Sequence, residues 1–377
     1  MFELFFELIR CAFGFQGCLS HSPTDDEWQN VFKIANHHAL LGICFASLEQ
    51  LSRQHQQPSQ ELLYQWIGVA RQIEERNKKI NKQCLKLQGI LKKDGFRSCI
   101  LKGQGNTLLY RSIDPQLAML RQPGDIDVWI EGSFDKVTRY VESTCPTDEV
   151  NEQHIQFHVF PDTEVEIHYT PTKLANRWKD KSLQQWFIKE TDRQMKHSIS
   201  FDEGEIVMPT VDFNLVYQML HIYRHFFNEG IGLRQLMDYY VLLHTSKLTR
   251  EQCDYVRLWV HRFGMERFAS ALMWILGYVF KMEETEMLWK PDKYNGSFLL
   301  SEVMKMGNFG HSDERFQTNG KQSHLKRYWQ TVKSKWRFIK YYPSETLWQP
   351  IDIFFKFFEL RRLKNKVILI RNEQNCD

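Results

Sequence analysis

The feature that most limits the fold is a change of hydrophobic period along the chain. Through residues 27–91, apolar side chains recur every three or four positions, at Val31, Ile34, Leu40 and Leu41 and again at Leu62, Leu63, Trp66, Ile67 and Val69. That spacing is one face of a helix. A turn signal at Lys93-Asp94-Gly95 ends it, and residues 96–101 (FRSCIL) read as a short buried strand. Residues 125–130 (DIDVWI) then alternate strictly, which puts Ile126, Val128 and Ile130 on one face and Asp125, Asp127 and Trp129 on the other. Two further alternating runs, 154–160 and 164–169, are separated only by Pro161-Asp-Thr163 and predict an antiparallel hairpin. In the second run Val165, Ile167 and Tyr169 share one face, and Glu164, Glu166 and His168 the other. After Pro209 the period returns to 3.6, with Leu215, Met219, Ile222 and Phe226 on one stripe. This order predicts an α+β fold, a small mixed sheet with helices flanked by N- and C-terminal helical regions.

The expected divisions are a helical region over 1–92, an α/β core over 93–209, and a helical region with a basic aromatic tail over 210–377. Ser133 is expected to cap a helix running to about 143, and a second small hairpin is expected near 202–204. Residues 283–320, rich in Lys, Asn, Gly and Ser, read as a long excursion or flexible loop. Eight scattered cysteines, with no C-x-x-C pair, fit reduced thiols in the cytoplasm. The N-terminal MFELFFELIR has acids where a secretory signal needs positive charge, and it reads as an amphipathic helix. The longest apolar stretch, 268–280, is too short for the roughly 18 to 20 residues of a membrane span, so none is expected.

Net charge is +3, but residues 321–371 hold 13 Lys/Arg against Glu345, Asp352 and Glu359, which leaves 1–320 acidic at −5. A generic nucleic-acid binder is disfavoured, because the main body does not attract polyanions. The basic segment interleaves Tyr328, Trp329, Trp336, Phe338, Tyr341 and Tyr342 with Phe354, Phe355, Phe357 and Phe358. It is read first as an aromatic helical core face with snorkelling Lys and Arg, and second as a contact for an anionic surface.

Asp125 and Asp127, two positions apart on a strand, project from one face with Cα atoms about 6 to 7 Å apart, close enough to share a divalent ion. Glu166 on a neighbouring strand would complete an oxygen-rich site suited to Mg²⁺ or Mn²⁺, and Glu164 shares its face as the other candidate. Such sites serve two-metal phosphoryl or nucleotidyl transfer. Gly103, at the end of the 100–101 strand, could expose backbone donors to phosphate, with Gln104 opening the next helix and Lys102 adding charge. Gly124 immediately precedes the acid pair, and Arg121 either grips phosphate bidentately or is an ordinary loop arginine. Arg234 and Asp238, spaced i and i+4, read as a surface ion pair or as substrate-facing. Bare carboxylates in one cluster repel, so neutralising Asp127 is expected to stabilise the metal-free fold. His221 and His225 have zinc spacing but no obvious third ligand.

The strings LKG at 101–103, R-x-x-GDIDVWI at 121–130 and VEIH at 165–168 resemble the uncharacterised nucleotidyltransferase family of the DNA polymerase β-like superfamily, over roughly residues 30–280. The stretch GIGLRQLMD at 230–238 resembles that family's downstream helical segment. The resemblance implies a polymerase β-like core, Asp125, Asp127 and Glu166 as catalytic metal ligands, and Gly103 in the nucleotide loop. It also implies transfer of an NMP from an NTP such as ATP to a small-molecule, RNA or protein acceptor, with pyrophosphate released. The rival expectation is a catalytically silent nucleotide-binding or interaction module on the same fold.

Overall fold

The computed structural model describes residues 2–201, 204–308 and 332–374. In chain order, helices α1 (Phe2–Ala12), α2 (Asp25–His37), α3 (Leu41–Ala46), α4 (Leu48–Ser52) and α5 (Gln60–Lys93) lead into strand β1 (Ser98–Ile100). Then come α6 (Gln104–Tyr110), α7 (Pro115–Leu120), β2 (Ile126–Ile130), α8 (Phe134–Thr144), β3 (His154–Gln156), β4 (Val165–His168) and α9 (Arg177–Gln194). The hairpin strands β5 (Ser198–Phe201) and β6 (Gly204–Val207) precede α10 (Val211–Asn228), α11 (Leu233–Thr245), α12 (Arg250–Arg262), α13 (Glu266–Phe280), α14 (Lys293–Met306) and α15 (Pro343–Gln374). The architecture is mixed α+β, with helices flanking a small mixed sheet. Among the described residues, no helix is long and apolar enough to cross a membrane.

The chain divides into two compact units. The first comprises Met1–Asn81, Gln104–Gly124 and Val211–Asp313 and is wholly helical among its described residues. Its α1 is the helix the sequence predicts but is not amphipathic in its setting: Leu4 through Cys11 are all buried, Glu7 and Arg10 included. The expectation of a loop over 283–320 is overturned where the structure is described: α14 is a regular helix capped by Asp292, whose side chain accepts from Asn295 N. The small residues that suggested looseness serve close packing. A Cβ on Gly296 would lie 2.6 Å from Trp274 Cε3, so only glycine admits α13 this close. Residues 309–320 lie outside the described residues.

The second unit comprises Lys82–Gly103, Asp125–Thr210 and Glu314–Asp377. Its sheet has the order β1-β2-β4-β3. β2 is antiparallel to β1 and parallel to β4, and β4 is antiparallel to β3, as the predicted hairpin requires. The apolar face of the alternation is fully packed: Ile126, Val128, Ile130, Val165 and Ile167 are buried. β5 and β6 pair antiparallel, and residues 202–203 at their turn lie outside the described residues.

α15 packs on α8, where Arg371 pairs with Glu142 and Lys366 with Asp135. The first reading of this segment as an aromatic core face fails at the phenylalanines. Phe354, Phe355, Phe357 and Phe358 are 45–56% exposed, whereas the buried residues of α15 are Glu345, Thr346, Gln349, Val367 and Ile370. Lys321, Tyr328 and Trp329 lie outside the described residues.

Candidate active site

Parallel pairing of β2 with β4 sets Asp127 opposite Glu166 and Trp129 opposite His168. Side chains directly opposite each other on one sheet face are near neighbours, so this register alone gathers the acids. One ligand oxygen each from Asp125, Asp127 and Glu166 lies within 4.8 Å of the others. Glu164 is exposed, and its carbonyl accepts from Ile126 N in the ladder. Of the two glutamates left open by the alternation, Glu166 is the one in the cluster.

The acids are not a bare anionic group. Lys102 Nζ lies 3.0 Å from Asp127 Oδ2, and His168 Nε2 lies 3.0 Å from Asp127 Oδ1 and 3.4 Å from Glu166 Oε2. His154, directly opposite His168 on β3, places Nδ1 2.9 Å from Glu166 Oε2. Burial pushes the Asp127 carboxyl up, but the Lys102 ammonium and the His168 hydrogen bond outweigh it and leave the pKa below its ordinary value. Glu166 is likewise held low, with burial opposed by hydrogen bonds from His154 and His168. Burial lowers His168, yet Asp127 and Glu166 raise it on balance to about 9. For His154 burial dominates, and its pKa falls. The expectation of mutually repelling carboxylates is therefore corrected: buried cations compensate them.

The donor set suits a hard divalent cation. Three carboxylates from two adjacent strands converge, and Asp127 Oδ2 is a buried oxygen that receives no hydrogen bond of good geometry even with Lys102 3.0 Å away. Gly103 has φ +61°, a left-handed conformation that glycine adopts without strain, and a Cβ there would lie 3.5 Å from the Asp125 carbonyl. Trp129, on β2 two residues after Asp127, also lines an open cavity of about 610 Å³, together with Tyr169, Phe187, Ser133, Gln184 and Asp180. A cavity of this size is in the range of small-molecule sites.

A family description, uncharacterised nucleotidyltransferase, matches residues 24–281. The chain belongs to the uncharacterised nucleotidyltransferase family. No curated protein and no solved structure matches it. Membership places the chain among enzymes that transfer nucleotidyl groups from NTPs, which in general employ divalent metals.

Within this nucleotidyltransferase, the other sequence-predicted residues separate into two groups. Lys102 and Gly103 share the unit of the acids, whereas Gln104, Arg121, Gly124 and Arg234 belong to the helical unit. Arg121 is 3% exposed, and its fork is closed on Asp238, with Nε to Oδ1 at 2.7 Å and Nη2 to Oδ2 at 2.6 Å. Tyr110 Oη donates to the same Oδ1 at 2.7 Å. This buried clamp leaves Arg121 no bidentate face for phosphate and removes it from the nucleotide-binding set. Gln104, 3% exposed, donates its side-chain amide to Asn81 and Asn77. Arg234 and Asp238 are buried, not a surface pair: Arg234 Nη1 donates to the Gln122 carbonyl, and its guanidinium lies beside Gly124. His225 pairs with Glu229, and neither His221 nor His225 falls in a candidate metal group among the described residues.

Sequence reasoning missed His154 and the balancing role of His168. The signal was the alternation itself, which put His168 beside Glu166; the partner opposite His168 depends on hairpin register, which a loop of uncertain length does not specify.

Proposed function

We propose that this nucleotidyltransferase transfers an NMP from an NTP to an acceptor hydroxyl or amine in a Mg²⁺- or Mn²⁺-dependent reaction that releases pyrophosphate. The observation that carries this reading is the convergence of Asp125, Asp127 and Glu166 across the β2–β4 register. Asp125, Asp127 and Glu166 would hold the cations, with Asp125 and Asp127 facing the nucleotide phosphates and Glu166 the acceptor side. Divalent ions, when bound, neutralise phosphate charge and lower the pKa of the attacking group. Lys102, paired with Asp127 in the structure, would turn to a phosphate oxygen when the acids hold cations. Gly103 presents backbone N–H to phosphate without a side chain in the way. The cavity beyond Trp129 receives the acceptor, where Asp180, Gln184 and Ser133 provide polar contacts along an aromatic wall. The residues position and neutralise, and no covalent enzyme intermediate is needed.

The test is pyrophosphate release, together with the melting shift produced by each NTP with Mg²⁺ or Mn²⁺, for wild type, Asp125→Asn and Glu166→Gln. Cation-dependent nucleotide binding that disappears in both variants is expected. Nucleotide binding that persists undiminished in both would defeat the reading, and binding without turnover for any acceptor would favour the silent module.

A further inference from the structure

The acids are not the only metal-competent group on this sheet. His154, Glu166 and His168 also place one ligand atom each within 4.8 Å of the others. β3–β4 pairing sets the two histidines directly opposite each other, and Glu166 lies two residues before His168 on the same face. We propose that these three residues form a second cation site of the zinc class that shares Glu166 with the carboxylate cluster.

Three observations support the site. First, the geometry is close to that of coordination. Zn²⁺ bonds of about 2.0–2.1 Å imply tetrahedral ligand–ligand edges of about 3.3 Å. His154 Nδ1 and His168 Nε2 lie 2.9 and 3.4 Å from the same oxygen, Glu166 Oε2. Second, the donor type differs from that of the acids. Two imidazoles and one carboxylate are a borderline set that prefers Zn²⁺, whereas three carboxylates prefer Mg²⁺. Third, the group is enclosed yet reachable. The side chains of His154, Glu166 and His168 are 17%, 19% and 5% exposed.

Because Glu166 serves both groups and His168 also holds Asp127, an ion on the imidazoles draws two residues away from the acids. Zinc occupancy therefore antagonises the Mg²⁺–nucleotide site. This antagonism rests on the proposed catalytic reading, whereas zinc binding itself does not.

The experiment uses full-length, metal-stripped protein and Zn²⁺ alone, titrated against a chromophoric chelator, with the Co²⁺ visible spectrum reporting nitrogen ligation. Wild type is expected to take one Zn²⁺. His154→Gln should bind it at least about 100-fold more weakly, since loss of a ligand exceeds the usual effect of an outer partner. Asp125→Asn, outside the imidazole group, should keep zinc affinity while losing the melting shift with Mg²⁺ and NTP. In wild type, Zn²⁺ should weaken Mg²⁺–nucleotide binding by roughly 5- to 150-fold, the usual range of site coupling. The histidine side-chain NMR signals of wild type supply a readout that needs no variant: two histidines should shift with one equivalent of Zn²⁺. No zinc uptake, zinc uptake unchanged in His154→Gln, or no histidine shift would overturn the proposal. Failure of Mg²⁺–nucleotide binding with the zinc pattern intact would instead overturn the catalytic reading alone.

Discussion

Asp127→Asn, studied without metal, decides how the charges of this site are balanced. Asp127 is 1% exposed and lies 3.0 Å from both Lys102 Nζ and His168 Nε2. Removing one member of a buried ion pair usually costs about 3–5 kcal/mol, because the other charge is left without compensation. Here the cost is smaller. The Lys102 side chain is 17% exposed on a flexible stem and can return to water, and His168 can release its proton. A loss of about 2–3 kcal/mol remains. The unit that contains the site has about 170 residues, and for that size each kcal/mol moves the melting temperature by roughly 2–4 °C. Asp127→Asn should therefore melt roughly 5–10 °C below wild type in the presence of chelator. Added Mg²⁺ and NTP should widen the gap, since only wild type gains binding energy. Calorimetric melting of both proteins with and without cation is the assay. A variant that melts above wild type without metal would refute the reasoning, because repulsion among Asp125, Asp127 and Glu166 would then outweigh their pairing with Lys102, His154 and His168.

Other consequences are equally open to measurement. Asp238→Asn should destabilise the helical unit by about 3–5 kcal/mol, since it strands the buried Arg121 guanidinium, while an Arg121→Met/Asp238→Leu double variant should recover most of that loss; melting of the three proteins checks it. His38 accepts from Leu233 N at Nδ1, and burial first and His37 second lower its pKa to about 3. The unfolded chain, with an ordinary histidine pKa of about 6.5, binds this proton first, so stability is complete above pH ~6.5 and falls as pH drops toward 3. The loss is at most about 5 kcal/mol, and urea titrations at several pH values should show a shallower acid slope in His38→Gln. Gly296→Val should destabilise the α13–α14 pair by about 1–3 kcal/mol through overpacking against Trp274 and the Ala271 carbonyl, read from denaturant midpoints.

The parts of this molecule that were legible in the sequence share one physical cause. Alternation specifies which side chains share a sheet face, so Asp125 and Asp127 could be named as a pair with Glu164 or Glu166 as the third acid before their strands were paired, the family resemblance pointing to Glu166. Periodicity of 3.6 likewise identified α1 and α10. What was illegible depended on partners distant in the chain. Nothing near Arg121 in sequence announces Asp238, and the i, i+4 spacing of Arg234 and Asp238 pointed to a different pair, because helix spacing reports only local neighbours. Gly296 and Ser297 read as loop residues because composition does not separate a glycine that loosens a chain from one that admits a tryptophan. The α15 phenylalanines failed in the opposite sense: a strong apolar stripe predicts burial, but in α15 the buried apolar residues are Val367 and Ile370, beside the Lys366 and Arg371 pairs to α8, and the phenylalanines stay outside.

The register of β4 binds the chemistry to the core. Ile126, Val128, Val165 and Ile167 face the packed side of the sheet, and the intervening positions carry Asp127, Glu166 and His168. A slip of one residue would turn Val165 and Ile167 toward the acids and Glu166 and His168 into the apolar layer, at the cost of burying two charges without partners. The same hydrophobic alternation that stabilises the sheet thus holds Glu166 opposite Asp127 and His168 opposite Trp129. Compensation by Lys102 and His168, with the hydrogen bond from His154 to Glu166, makes this tolerable, because an uncompensated triad of acids would strain the register it depends on. The acid cluster is therefore charge-balanced within the sheet itself, chiefly by Lys102 and His168.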